Sequence, residues 1–243
     1  GGRWDINNIV YNNTDGVNTD FAGGGSKFVG SNITISNNIA HDNFGTGLFV
    51  DGGGTHDTFD HNTSYNNYGD GIRYEISRYG VITNNIVYGN NAPGLAQILY
   101  TGSDHGRISG NTVSDNGSGA IIVVNTVGGR AGIVYQVTDT QVTGNMIGIS
   151  YNQNDVTAGL IDHAQPPQPS IFSDPTNFFD YNVYEFFTVS QRSSWSWGET
   201  ANLLQPISWS AWQANGQDRN GAVIVNVPAL DINLAQWLKA DKF

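Results

Sequence analysis

Three acidic residues, Asp20, Asp51 and Glu75, each stand four places after a glycine, in the segments Gly16–Asp20, Gly47–Asp51 and Gly71–Glu75. With the residue after each glycine pointing inward, strand alternation turns the third and fifth positions outward. The three carboxylates then share one outer column, beside Asn18, Phe49 and Arg73. Like charges on neighbouring rungs are unfavourable, and their repulsion separates a proton donor from an ionised partner. That division of labour is the one glycoside hydrolysis uses. Adjacent rungs would set the carboxyls roughly 5 Å apart, the retaining separation, and alternate rungs roughly 9 to 10 Å apart, near the upper end of the inverting range. Glu75, beside Tyr74 and last in the column, is the expected general acid, and Asp51 the expected nucleophile or water-activating base. Arg73 would orient a sugar hydroxyl or carboxylate, or simply neutralise Asp51 and Glu75. Asn18, Phe49, Arg78 and His56 complete the expected substrate-binding set. The competing readings are solvated surface charge, or a Ca²⁺ held between rungs. No other cofactor is expected.

The element that must position these residues is a repeat. An asparagine is followed eight or nine residues later by a glycine at Asn8/Gly16, Asn38/Gly47, Asn62/Gly71, Asn85/Gly94 and Asn111/Gly119, and Asn145 continues the series. From Asn38 to Asn62, Asn85 and Asn111 the steps are 24, 23 and 26 residues, a period that marks stacked units rather than one globular core. Three columns are expected to face inward: Ile35, Phe59, Ile82, Ile108 and Val142 before each asparagine; Ile39, Thr63, Ile86, Thr112 and Met146 after it; and Val17, Leu48, Ile72, Leu95 and Ala120 after each glycine. Short β-branched runs separated by Asn, Gly, Asp and Ser predict three strands per turn of a β-solenoid, and neither a Leu-x-x-Leu pattern nor a 3.6-residue period is present. The asparagines are expected to be structural, as corner residues tolerant of left-handed backbone and able to hydrogen-bond in a ladder. Tyr11, Tyr65 and Tyr88, with His41 in the same place, form either an aromatic ladder or a sugar-stacking surface. His56, His61 and His105 lack metal-ligand spacing, so no metal site is expected.

Composition narrows the classes. Only 13% of the 243 residues are charged and 31 are glycine, a profile of a turn-dense β fold. Ten basic and 21 acidic residues give a net charge of −11, which repels nucleic acid and anionic membranes. The chain has no cysteine and no apolar run of membrane-spanning length. It begins inside a repeat without an initiator Met or signal sequence, so earlier rungs or another domain are expected upstream. Residues 1–163 are expected to form the rungs. Residues 164–243 supply a proline-rich loop at 164–176, one more rung around Phe179–Tyr184 and a cap of the same domain carrying five of the six tryptophans. That cap should hold short helices near Ser208–Asn215, with Ser208 as N-cap, and near Asp231–Lys239.

The run Gly47–Asp51, then Asn62, Gly71–Ser77 and Asn84–Asn90, with the closing segments Asp180–Tyr184 and Trp209–Asp218, resembles the parallel β-helix repeat proteins of the pectate-lyase-like superfamily, secreted bacterial carbohydrate-active members among them. The resemblance covers nearly the whole chain. It implies an all-β, right-handed parallel β-helix in a secreted, extracellular protein whose partner is a polysaccharide or oligosaccharide. The chain lacks the Asp-Pro-His-Asp motif of the alginate epimerases, and Asn18-Thr19-Asp20 matches the first of four polygalacturonase motifs alone. Three functions stay open on these residues: a glycoside hydrolase; a polysaccharide lyase or epimerase acting on uronates, with Arg73, Arg78, His56 and the acids; or a non-catalytic carbohydrate-binding, adhesin or spike β-helix.

Overall fold

The computed structural model describes residues 2–5, 8–11, 24–90, 96–115, 119–126, 128–130, 133–149, 156–168, 170–186, 195–199 and 206–225. Gly16, Val17, Asn18, Asp20, Gly94, Leu95, Trp237 and the expected helix at 231–239 lie outside them. Each turn of chain visits three sheets in order, as in Ile33–Ser36, Ile39–His41 and Thr46–Val50, and the next turn lays its strands parallel alongside. Sheet A runs from Gly2–Asp5 to Phe178–Asp180, sheet B from Ile9–Tyr11 to Ala222–Val225, and sheet C from Gly24–Phe28 to Trp195–Glu199 with Pro206–Ile207 added antiparallel. The result is a parallel β-helix. Its rungs reach Ala222–Val225, well past the region around residue 185 where the sequence pattern is expected to end.

The asparagines build a hydrogen-bonded ladder. The side-chain amide of each donates to the Oδ1 of the next: Asn8 to Asn38 at 2.9 Å, Asn38 to Asn62 at 3.1 Å, Asn62 to Asn85 at 2.9 Å, Asn85 to Asn111 at 3.0 Å, Asn111 to Asn145 at 2.9 Å and Asn145 to Asn182 at 2.9 Å. The left-handed backbone expected at these asparagines sits one residue earlier, at Asn37, His61, Asn84, Gly110, Gly144 and Tyr181, with φ between 54° and 64°. That residue turns the corner, and the asparagine behind it satisfies the backbone groups the corner frees.

One expected inward column holds throughout and a second holds at Leu48 and Ile72. Ile35, Phe59, Ile82, Ile108 and Val142 pair rung to rung and are fully buried. Leu48 and Ile72 pair and are fully buried as well. The third column is a correction: Ile39, Thr63, Ile86, Thr112 and Met146 do stack in register, but on the outside, with Met146 45% exposed. The inward residue of sheet B is the second after the asparagine: Ala40, Ser64, Val87, Val113, Ile147 and Tyr184. The lumen is narrow there. A Cβ on Gly71 would come within 2.3 Å of Val87, and one on Gly47 within 2.3 Å of Ser64 Oγ, so the recurrent glycine lets sheet C begin against sheet B.

The glycine alignment also slips in two rungs, in one because the turn lengthens and in the other because Gly119 stands one place earlier in its strand than Gly71 does. From Tyr65 to Ile72 is seven residues and from Tyr88 to Ile98 is ten. Ile98, not Leu95, therefore continues the Leu48–Ile72 column, followed by Ile121 rather than Ala120. At the far end Trp195, Trp209 and Trp212 close over Phe179 and Tyr184 with ring centroids 5.0 to 5.6 Å apart. The expected helix is present as Trp209–Ala214, with Ser208 Oγ accepting from the Ala211 amide at 3.2 Å. Two substitutions separate lumen from surface: Ile72→Ala should lower unfolding free energy by about 2 to 5 kcal/mol, and Met146→Ala should change it by no more than about 0.5 kcal/mol, both read by denaturant titration.

Candidate functional site

The outer face of sheet C carries the charged cluster. Its register is Lys27–Phe49–Arg73–Leu99 in one outward column. Two residues on, Asp51 and Glu75 follow the paired Val50 and Tyr74, and Thr101 pairs with Glu75. Asp51 and Glu75 thus occupy adjacent rungs of one column. The expected third member, Asp20, lies outside the described residues. The strand preceding Thr46–Val50 is Gly24–Phe28, which pairs Phe28 with Val50 and leaves Val29 in the place assigned to Asp20. From His41 to Leu48 is seven residues, but from Tyr11 to the corresponding Ser26 is fifteen. Asn18 and Asp20 fall within that longer connection, outside the described residues.

Each acid in the column meets a cation rather than another acid. Lys27 Nζ is 2.8 Å from Asp51 Oδ2, and Arg73 Nη2 donates to Glu75 Oε1 at 2.8 Å. The Phe49 ring lies between the two cations, with Lys27 Nζ 4.7 Å and Arg73 Cζ 5.1 Å from its centroid, each within cation–π range. The cluster is largely dry: the Asp51 side chain is 1% exposed, Arg73 13% and Glu75 14%. Apolar neighbours extend it along the same face, where Leu99, Ile122, Val124 and Ile161 form a second buried cluster outside the lumen.

Sequence reasoning missed two members. Lys27 follows the Gly23–Gly25 run, and aligning rungs on their apolar ends, Phe28, Val50 and Tyr74, would have found it. Asp70 immediately precedes Gly71. Fully buried, it accepts from the Ala96 amide at 3.0 Å and lies 3.6 Å from Arg73 Nη1. Burial pushes its pKa up to about 7, against the opposing pull of the Arg73 charge. Arg73 is therefore shared between Asp70 and Glu75.

Arg78 and His56 sit apart, on the corner that leaves sheet C. Arg78 Nε is 3.2 Å from Asp104 Oδ2, an ion pair without hydrogen-bond alignment. His56 stacks on Tyr79 at 4.6 Å, and Tyr79 on His105 at 4.4 Å. On sheet B, Tyr11, His41, Tyr65 and Tyr88 stack with centroids 4.8 to 5.3 Å apart and planes within 4°. Rings stacked on one another present edges to solvent, which is the ladder reading and not a sugar platform. Among the described residues, no three His, Asp or Glu side chains converge as a metal site, and no helix is long and apolar enough to cross a membrane.

The family described as right-handed beta helix region matches residues 5–158, more than half of the chain, and the protein belongs to it; the parallel β-helix above is thus a right-handed one. Among solved structures, the chain is similar to the A-module of mannuronan C-5 epimerase AlgE6 of Azotobacter vinelandii, at 18% identity over 83% of this chain and 55% of that one, with a TM-score of 0.43. It is similar also to the A-module of mannuronan C-5 epimerase AlgE4 of the same organism, at 18% identity over 82% of this chain and 57% of that one, with a TM-score of 0.31. The chain therefore spans little more than half of either structure. No curated protein matches it.

Because the Asp70 pKa in the folded protein lies above its unfolded value, folding binds a proton there. Its contribution to stability is complete below pH about 4 and is lost as pH rises through about 7. The thermal midpoint should fall between pH 5 and pH 8, and Asp70→Asn should flatten that fall; an unchanged pH profile in the variant would place the titration elsewhere.

Proposed function

We propose that the chain acts on an extracellular polysaccharide as a secreted glycoside hydrolase, with the charged cluster on the outer face of sheet C as its catalytic centre. Glu75 donates its proton to the leaving glycosidic oxygen and regains one from the incoming water, Asp51 supplies the second carboxylate, and Arg73 orients the substrate and Glu75 together. The observation that carries this reading is the register, which sets Asp51 and Glu75 on adjacent rungs of one outward column. One rung separates strands by about 4.8 Å, close to the carboxyl separation of retaining enzymes. A second support is the concentration of charge: in a chain with 13% charged residues, Lys27, Asp51, Asp70, Arg73 and Glu75 gather on one face, where an electrostatic cost is offset by function or by pairing.

One observation favours a second reading. Lys27 and Arg73 flank the acids at 2.8 Å, and two such cations could neutralise a uronate carboxylate while Glu75 removes the adjacent proton, as a lyase or epimerase requires. The three chemistries leave different products. Hydrolysis generates reducing ends without ultraviolet absorbance, a lyase generates unsaturated ends that absorb, and an epimerase inverts a ring carbon without cutting the chain.

A panel of neutral and acidic polysaccharides assayed for these three products tests the proposal. The expected result is reducing ends alone, with turnover falling by about 10²- to 10⁴-fold in Glu75→Gln and strongly in Asp51→Asn, the Glu75→Gln thermal midpoint staying close to that of the parent. Unsaturated or inverted products lost in the same variants would replace hydrolysis by the second reading. Full activity in both variants would remove the assignment of the site.

A further inference from the structure

A cleft of about 380 Å³ opens on the outer face of sheet A beside its last strand, Phe178–Asp180, far along the stack from the sheet C cluster. One wall is the short helix Ser170–Ser173 with the turn after it, carrying Phe172 and Asp174. The other is the turn after Trp209–Ala214, carrying Gly216 and Arg219. Its size falls at the lower end of the roughly 300 to 1,000 Å³ of small-molecule sites.

The polar groups in this cleft are not equally occupied. Asp180 is satisfied on both oxygens, accepting from the Tyr181 and Asn220 amides at 2.9 and 2.8 Å and from Asn220 Nδ2 at 2.8 Å. Asp174 uses Oδ1 alone, accepting from the Thr176 amide at 2.9 Å and its hydroxyl at 2.6 Å. Lys27, Arg73, Arg78 and Arg107 each pair with an acid. Arg219 is the exception: it has no ion pair or hydrogen bond to any described residue. Its guanidinium lies along the cleft over Gly216, where a Cβ would come within 3.3 Å of Nη2. Gly216 has a φ of 83°, so a side chain there is disfavoured by the backbone as well as by Arg219. The cleft therefore offers an acceptor on Asp174, a fork of donors on Arg219, and the half-buried rings of Phe172 and Phe178.

We propose that this cleft is a binding subsite for a neutral oligosaccharide, separate from the catalytic cluster. Charge selects the class. A carboxylated or phosphorylated ligand would meet Asp174 and Asp180 as well as Arg219, and a cationic ligand would meet Arg219. A neutral sugar donates one hydroxyl to Asp174, accepts from Arg219 on a neighbouring hydroxyl and lays its C–H face on a phenylalanine ring. If the polysaccharide reading of the sheet C cluster is also right, the subsite holds the polymer away from the cut, but binding here does not depend on that reading.

Tryptophan fluorescence reports on the site directly, because Phe172 is 5.3 Å from Trp197, which in turn is 5.8 Å from Trp212. The full chain is titrated with neutral gluco-, manno- and xylo-configured tetrasaccharides and with an acidic uronate tetrasaccharide, fluorescence being checked by calorimetry. Expected is saturable binding of at least one neutral probe, weakened about ten-fold or more in Arg219→Met and in Asp174→Asn, as for loss of a charge-assisted hydrogen bond, and unchanged in Glu75→Gln. Both substitutions are on exposed or half-exposed side chains, and Phe178→Ser gives a third, independent reading of the apolar wall. No saturable binding of a neutral probe, tighter binding of the acidic one, or a Kd unmoved in Arg219→Met overturns the proposal. Binding lost in Glu75→Gln but kept in Arg219→Met would place the sugar at the sheet C cluster, overturning the subsite while supporting the proposed function.

Discussion

The asparagine ladder is the constraint on which the rest of the molecule depends. Each Oδ1 receives two donors from the rung before it, the backbone amide and the side-chain amide, as Asn85 does from Asn62 at 2.9 Å each. The same Nδ2 group also satisfies a carbonyl of a neighbouring turn, as Asn62 does for Ile35 at 2.9 Å. A rung cannot slide by one residue without orphaning three or four buried polar groups, each costing about 1 to 3 kcal/mol. The ladder is also directional, since donors always point toward the C-terminal end. It must finish on a group that only accepts, and it does: Asp218 takes the Asn182 amides on Oδ1 and the Tyr184 hydroxyl and Trp212 indole on Oδ2. A second, shorter ladder, Asn43–Asn67–Asn90, ends on Gln97, whose own amide turns back to the Asn90 carbonyl.

Register fixed at these corners decides what can meet on the faces between them. In the lumen it aligns apolar columns into one continuous core. On the outer face of sheet C it sets Lys27, Phe49 and Arg73 in one column and Asp51 and Glu75 in the next, so that opposite charges interleave across rungs. The acid–acid repulsion expected from the sequence is replaced by acid–cation pairing, and burial raises the pKa of the hidden Asp70 to about 7. Glu75 remains chemically tied to it through Arg73, which touches both.

Much of the fold was legible because its signals are local. The asparagine period, the Ile35–Val142 column and the Ser208 cap each depend on a few neighbouring residues, and each is present. What failed was whatever depended on turn length. Ile39, Thr63 and Ile86 look like core by composition, but one residue of corner geometry puts Ala40, Ser64 and Val87 inside instead. The connection between Tyr11 and Ser26 is longer than its counterparts, so counting from Gly16 does not carry over to the strand Gly24–Phe28. Lys27 and Asp70 were overlooked for the same reason, since neither falls on the glycine-counted positions. Phe49, Arg73, Asp51 and Glu75 were legible because the turn between sheets B and C is seven residues long in both of their rungs.

The measurement that bears most directly on this register is disulfide closure, which the absence of native cysteine makes unambiguous. Partners one rung apart have Cα atoms about 4.8 Å from one another, inside the roughly 4.4 to 6.8 Å a disulfide spans. On mild oxidation, Val29→Cys with Asp51→Cys should close rapidly and quantitatively, whereas Asp20→Cys with Asp51→Cys should remain reduced. Closure of the Asp20 pair with the Val29 pair left open would contradict the register, and with it the placement of the charged cluster.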